Sequence, residues 1–318
     1  MHLSFAPLEG IGKFTYRCLQ AEYFGGADTY SSPFIAPDGS GNCKKGDLRY
    51  VLTENNPGCR LIPQILCSSA AAFIPAARQL RQMGYSEINL NAGCPSGTVV
   101  SKHKGAGMLS DPRALDEFLA QVFEGLGGEI SVKTRIGMSS SEEFPALLEV
   151  YNKYPLKSLI IHVRTREGMY KSAPDHAAFD YAAKNCGLPL CYNGNIFTLE
   201  DYRRLTERLP AVEHVMVGRG ALANPALLRQ LKGGAALERA ELQDFHNRYL
   251  ALSLSSGLSE HFALQRMKEH WSYWRCMFPG EAKLIKPIFK ARCLSDYRSG
   301  VEALFARGSF DCGAGFNI

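Results

Sequence analysis

The chain has 318 residues, of which 46% are hydrophobic and 21% charged, with 30 glycines and 16 prolines. That composition excludes a disordered or collagen-like protein, and the length excludes a mini-protein held by staples. The net charge of +5 lies in residues 265–300, where eight basic residues face three acidic ones. A localised basic region is the electrostatic footprint of a polyanion partner, and its plain alternative is a solvated helical face. Ten cysteines at irregular spacing include no C-x-x-C pair. This argues against zinc ribbons and thioredoxin-type motifs and for reduced cytosolic thiols. The start, Met1 to Pro7, lacks a signal peptide's pattern, and no apolar run is long enough to span a membrane. The expectation is a cytoplasmic monomer with no membrane association.

In chain order, Leu3–Ala6, Thr29–Ser31 and Leu61–Gln64 predict strands. Ala70–Met83 predicts a helix with Ala71, Phe73, Ile74, Ala77 and Leu80 on one face. A strand at Glu87–Asn91 follows, then a helix at Asp111–Phe123 opened by Asp111 as N-cap and Pro112 as first helical residue. Ser131–Lys133, Leu159–Val163 and Leu190–Tyr192 predict strands. Leu199–Leu209 predicts a helix, with Thr198 and Asp201 as an imperfect capping box. His214–Val217 is the eighth strand. Alternating strands and helices imply parallel strands with crossovers, and eight such units close a (β/α)8 TIM barrel. A doubly wound sheet is the alternative, but no G-x-G-x-x-G follows the first strand. After residue 238 the strand pattern stops. Ala240–Leu254, Glu260–Met277 and Lys283–Cys293 read as helices, with Pro287 interrupting the last. The organisation is a catalytic α/β barrel over 1–238 and a small C-terminal α-helical domain over 239–318.

Barrels of this kind carry function at the C-terminal ends of their strands. There the sequence puts Ala6-Pro7-Leu8, Gln64, Asn91 with Cys94, Lys133, His162, Asn193 with Asn195, and Gly218-Arg219. Amide, ammonium, imidazole and guanidinium groups dominate, and no carboxylate or His cluster suits a divalent metal. Glycine turns after the last two strands, with Arg219 beside them, suit a phosphate. Arg164 and Arg166 read as RNA contacts or surface ion pairs. Trp271 and Trp274 share a helical face and read as core, and the cysteines other than Cys94 read as structural.

Asn91-Ala92-Gly93-Cys94-Pro95, Lys104-Gly105-Ala106-Gly107, Val132-Lys133-Thr134-Arg135, His162-Val163-Arg164, Asn193-Gly194-Asn195 and Gly218-Arg219-Gly220 together resemble the tRNA-dihydrouridine synthases, in order along the chain. The resemblance implies FMN at the barrel mouth, NADPH as electron donor and reduction of the C5–C6 double bond of a D-loop uridine in tRNA. By the same resemblance Cys94 is the general acid at C5, and Asn91 holds the uracil. Gln64, Lys133 and His162 contact the flavin ring or ribityl chain. Asn193, Asn195, Gly218 and Arg219 hold the phosphate, and Ala6, Pro7 and Leu8 line the flavin edge. Leu8 stands where the family usually has Met, and Asn195 where it often has Asp. Lys283, Lys286 and Lys290 fall at i, i+3 and i+7, so one face presents them to the phosphates of tRNA. The competing functions are an FMN barrel acting on a free pyrimidine, as in dihydroorotate dehydrogenases, and a catalytically idle tRNA-binding protein. The basic helical segment argues against the first, and intact Cys94, Lys133 and His162 argue against the second.

Overall fold

A computed structural model describes residues 1–257 and 259–316. Eight parallel strands close a barrel in chain order: β1 (His2–Phe5), β2 (Thr29–Ile35), β3 (Leu61–Ile65), β4 (Glu87–Ala92), β5 (Glu129–Arg135), β6 (Leu159–His162), β7 (Leu190–Asn193) and β8 (His214–Val217). β8 returns to β1 in continuous register, from His2 opposite His214 to Phe5 opposite Val217. All eight predicted strands are present. They are short because the barrel buries both faces, and four to seven residues span its wall.

Side chains alternate across each strand, so Lys133, His162, Asn193 and Gly218 share the inward parity with Ser131, Ile160, Cys191 and Met216. Ala6, Ile160, Cys191 and Met216 form a small apolar plug inside the barrel, separate from the main core. Beside it runs a chain of side-chain hydrogen bonds. The Asn91 Nδ2 donates to Gln64 Oε1 (2.8 Å), Gln64 Nε2 to Asn89 Oδ1 (2.8 Å), and Asn89 Nδ2 to Ser131 Oγ (2.9 Å). All four residues are buried. Polar groups this deep must be paired, and an amide that both donates and accepts extends such a chain without leaving an end unmet.

The crossover helices carry their apolar stripe to the strands. In Ala70–Gln82, Ala70, Phe73, Ala77 and Leu80 are buried, with Ala72 and Ala76, whereas Ala71, expected on that face, is exposed. Asp111 caps Pro112–Leu126 by accepting from the Arg113 and Ala114 amides. The Thr198–Asp201 box before Leu199–Arg208 is complete, each side chain accepting from the other's backbone amide at 3.0 Å. Helices Phe14–Tyr23, Phe144–Asn152 and His176–Asn185, which the sequence pattern did not mark, complete the outer layer.

Beyond β8 the described residues form no strand; after two short helices, Arg219–Ala223 and Leu227–Leu231, come Arg239–Ser255, Glu260–Trp274, Ala282–Lys290 and Leu294–Arg307. The last is a helix that sequence reading missed. Its Ser295, Asp296, Ser299 and Gly300 look like turn residues, yet Tyr297, Val301, Leu304 and Phe305 are buried at helical spacing. Ala282–Lys290 runs straight through Pro287 rather than breaking there. Ile288 is fully buried against Gly300, and that packing outweighs the lost backbone bond. Trp271 and Trp274 are both fully buried, as their spacing implied. This layer shares one core with the barrel. Tyr16 of the first helix stacks on His270 at 4.8 Å and meets Phe245 and Tyr249 edge-on.

Candidate active site

At the C-terminal ends of the strands a cavity of about 630 Å³ opens, lined by Pro7, Leu8, Gln64, Asn91, Cys94, Lys133 and His162 among others. A recess of about 70 Å³ continues from it past Lys133 and His162 to Ala6, Asn193, Gly218 and Arg219. The structure therefore gathers Ala6, Pro7, Leu8, Gln64, Asn91, Cys94, Lys133, His162, Asn193, Gly218 and Arg219 around one connected space. Asn195 does not line it, but its Oδ1 accepts from Arg219 Nη2 at 3.3 Å. Lys283, Lys286 and Lys290 lie away from the cavity, exposed on their own helix.

The loop after β4 is held from both sides. Asn91 Oδ1 accepts from the Gly93 and Cys94 amides at 3.0 and 2.9 Å, and the Cys94 carbonyl accepts from the Ala106 amide at 3.0 Å. Gly105 has φ +57°, and a Cβ there would lie 2.9 Å from Cys94 Cβ, so the glycine in the Lys104-Gly105-Ala106 block is what lets that segment close on Cys94. Cys94 is half-buried. Burial pushes its thiol up, and a bond from the Ser96 backbone with the charges of Arg135 and Lys133 only partly pulls it back. The group is thus a protonated thiol at neutral pH, the state a proton donor needs.

Lys133 donates to Asn193 Oδ1 at 2.8 Å, and Asn193 Nδ2 in turn donates to the Met216 carbonyl at 2.8 Å. Burial, reinforced by the charge of Arg135, pushes the ammonium down to about 7. His162 is held well below its usual range by burial and by the charges of Arg135, Lys133, Arg164 and Arg219. It is neutral. Its Nε2 accepts from Arg164 Nη1 at 3.3 Å, so Nδ1 carries the proton.

Arg164 is neither an RNA contact nor a surface ion pair, the two readings its sequence position suggested. It is 2% exposed, and besides His162 it donates from Nε to the Ser172 carbonyl at 2.6 Å. Arg135, which sequence reading left without a role, is equally buried. Its Nε donates to the Gly93 carbonyl and its Nη1 to the Thr165 and Met169 carbonyls, tying the Cys94 loop to the loop after β6. The signal was there to read, since Arg135 follows Lys133 by two on one strand and so shares its face. Phe34, Tyr170, Tyr273, Arg275 and Phe316 also line the cavity. Phe34 comes from the end of β2 and the others from the loop after β6, the helical segment and the C-terminal stretch, and no local pattern marks them.

Glu9 is the one carboxylate among the described residues lining the cavity, against Lys133, Arg135, Lys171, Arg219 and Arg275. Such a surplus of cations around a cavity of ligand size fits an anionic cofactor with an amide-rich ring. At the recess a Cβ on Gly220 would run into the Ile196 carbonyl, so the two glycine turns after β7 and β8 pack on each other's backbone. The residues present fit a flavin that carries a phosphate, with the small recess continuous with the larger cavity.

The family model described as dihydrouridine synthase matches residues 4–284. The chain belongs to the dihydrouridine synthase family. Among known proteins similar to this family member, the tRNA-dihydrouridine(16) synthase of Ralstonia nicotianae is 26% identical over 325 residues, covering 96% of each chain. That of Neisseria meningitidis serogroup A is 26% identical over 278 residues, covering 83% of each. Among solved structures, morphinone reductase superposes with a TM-score of 0.52 at 13% identity, covering 74% of this chain and 88% of its own. The old yellow enzyme from Trypanosoma cruzi superposes with a TM-score of 0.51 at 10% identity, covering 78% and 92%. Those two likenesses concern the barrel fold.

The depressed Lys133 gives this dihydrouridine synthase family member a pH signature. An anionic ligand beside Lys133 raises its pKa, so binding takes up a proton above about pH 7. Affinity for FMN is expected to fall by up to about tenfold per unit between roughly pH 7 and 9, and Lys133→Met to flatten that slope. Flavin-fluorescence titrations across the range check it, and a flat wild-type profile would show that Lys133 does not face the anionic part of the ligand.

Proposed function

We propose that this family member uses FMN and NADPH to reduce the C5–C6 double bond of a D-loop uridine in tRNA, with Cys94 as the general acid. As a dihydrouridine synthase it is an oxidoreductase acting on tRNA. The observation that carries the finer reading is a protonated, half-buried thiol on the wall of a cation-lined cavity at the barrel mouth. Bound FMN would supply the hydride equivalent that C6 receives, with NADPH as its source. Cys94 Sγ–H would give its proton to C5, and the thiolate would recover a proton from solvent. Lys133 and Arg135 stabilise that thiolate while it lasts, since both lower the Cys94 pKa.

In this reading Gln64, Lys133 and His162 contact the flavin ring and ribityl chain, and Ala6, Pro7 and Leu8 line its edge. Asn193, Gly218 and Arg219 hold the phosphate, with Asn195 acting through Arg219. Asn91 has a double task. Its Oδ1 is spent on the Gly93 and Cys94 amides and one N–H on Gln64, which leaves the second N–H for a uracil carbonyl. The target base must leave its stack to reach this depth, at a cost of a few kcal/mol that contacts elsewhere on the tRNA offset. Lys283, Lys286 and Lys290, exposed on one helix, supply part of that contact, and residues 239–318 form the tRNA-recognition unit. The relatives act, by their names, at position 16, and we infer the same position here.

Mass spectrometry of tRNA from a strain lacking this protein is expected to show an unreduced uridine at position 16, restored by the wild-type gene. Full dihydrouridine there without the protein would overturn the assignment. Cys94→Ala is expected to retain flavin and tRNA but to lose most single-turnover uridine reduction, by roughly 10²- to 10⁴-fold. Wild-type rates in that variant would remove Cys94 from the chemistry. Changing Lys283, Lys286 and Lys290 together to Glu is expected to weaken tRNA binding and flatten its salt dependence. If affinity and salt slope stay as in the wild type, the tRNA docks elsewhere.

A further inference from the structure

The match to the family ends at residue 284, yet the chain returns to the cavity much later. After Leu294–Arg307, residues 308–316 run without helix or strand back across the barrel mouth. Hydrogen bonds anchor this strap at three points. The Ser309 amide donates to Glu281 Oε1 (2.8 Å), the Asp311 amide to the Met277 carbonyl (2.8 Å), and Asn224 Nδ2 to the Cys312 carbonyl (3.1 Å). The first two tie it to the helical segment and the third to the turn beyond β8.

The strap delivers Phe316 to the cavity wall. Phe316 stacks on Tyr273 with ring centres 5.2 Å apart and planes at 21°, and it meets Phe197 at 5.7 Å. Phe197 comes from the turn after β7 and lines the recess. Over its ring, at 5.4 Å, lies the guanidinium of Arg219, which also lies 4.3 Å from the ring centre of Tyr170. A row of contacts thus runs from the helical segment through Phe316 and Phe197 to Arg219 at the recess.

Arg219 needs that support. No carboxylate pairs with it among the described residues, and its hydrogen bond to Asn195 is long, at 3.3 Å. A long side chain held only so would sample many rotamers and lose that freedom on binding an anion. Aromatic faces on the guanidinium remove the freedom beforehand and leave its N–H edge for the ligand.

We propose that Phe316 is a positioning residue for the phosphate site: by backing Phe197 against Tyr273, it holds Arg219 in place to take the phosphate of the cofactor. The inference rests on the FMN reading above and extends it to a residue beyond the family match. It also predicts which part of the ligand senses the change. Phe316 lines the larger cavity but acts on the phosphate through Arg219, so the phosphate group should feel its loss more than the ring does.

Riboflavin, which has the same ring and ribityl chain but no phosphate, separates the two. Binding of FMN and of riboflavin to the flavin-stripped full chain, followed by flavin fluorescence, gives the preference for the phosphate as a ratio. In Phe316→Ala that ratio is expected to fall roughly three- to tenfold, because FMN binding weakens by more than riboflavin binding does. Retained riboflavin binding also reports an intact fold. Phe197→Ala should give the same loss, the two changes together little more than either alone, and Phe316→Tyr a ratio near that of the wild type. A wild-type ratio in Phe316→Ala, or a parallel loss of both ligands, would overturn the proposal while leaving the FMN reading intact. A wild-type chain that binds FMN no better than riboflavin would overturn the phosphate site and this inference with it.

Discussion

A carboxamide buried in a protein has to find partners for both of its ends, and three of them do so in series inside this barrel. Asn91, Gln64 and Asn89 each pass a hydrogen bond to the next and the last ends on Ser131. Because each amide donates onward, the far end of the chain presents an acceptor, Asn91 Oδ1, at the mouth. That oxygen takes the Gly93 and Cys94 amides and sets the loop after β4. The thiol's position is therefore determined from inside the barrel. An apolar residue at Gln64 would leave an acceptor on Asn89 and a donor on Asn91 unmet, each at a cost of about 1–3 kcal/mol. That is a strong reason for amides in an interior that apolar side chains usually fill.

The second constraint is electrostatic. Lys133, Arg135, Arg164 and Arg219 are drawn together with no salt bridge to a carboxylate among the described residues, and burial, reinforced by neighbouring cations, pushes Lys133 and Arg135 down to about 7 and about 10. Carbonyl oxygens and aromatic faces take the place of counterions. Arg135 and Arg164 spend N–H groups on loop carbonyls and so shape the mouth, whereas Lys133 and Arg219, each with a hydrogen bond to an asparagine, line the ligand space. Burial, together with the same field, keeps His162 neutral, as a donor and acceptor instead of a fifth cation. Cys94 sits in the same field, and its burial outweighs the pull of the cations, so the thiol stays protonated.

The helical segment and the barrel meet through a shared aromatic core around Tyr16, Phe245, His270 and Trp274. This contact places Tyr273 and Arg275 on the rim of the cavity and gives residues 308–316 a surface to follow back to it. The part of the molecule suited to a large polyanion and the part suited to chemistry are thereby built as one packed body. The cavity wall is completed by residues that lie more than a hundred positions apart.

The eight strands were legible in the sequence because runs of β-formers bounded by turns are a local signal, and so were the caps at Asp111 and Thr198, where side chain and amide are neighbours. Most of the lining of the candidate site was legible as well, from Cys94 to Arg219, since strand ends in a barrel converge by topology. Local pattern misled where packing decides. Gly300 and Pro287 look like breaks but lie within helices that press on each other. Arg164 looks like a surface charge but is enclosed by a loop carbonyl and a histidine. The sequence by itself determined which groups stand at the strand ends. Only the tertiary structure decided their protonation, through burial and the charges brought beside them, and which distant aromatic rings close the wall, because both depend on neighbours that chain order does not reveal.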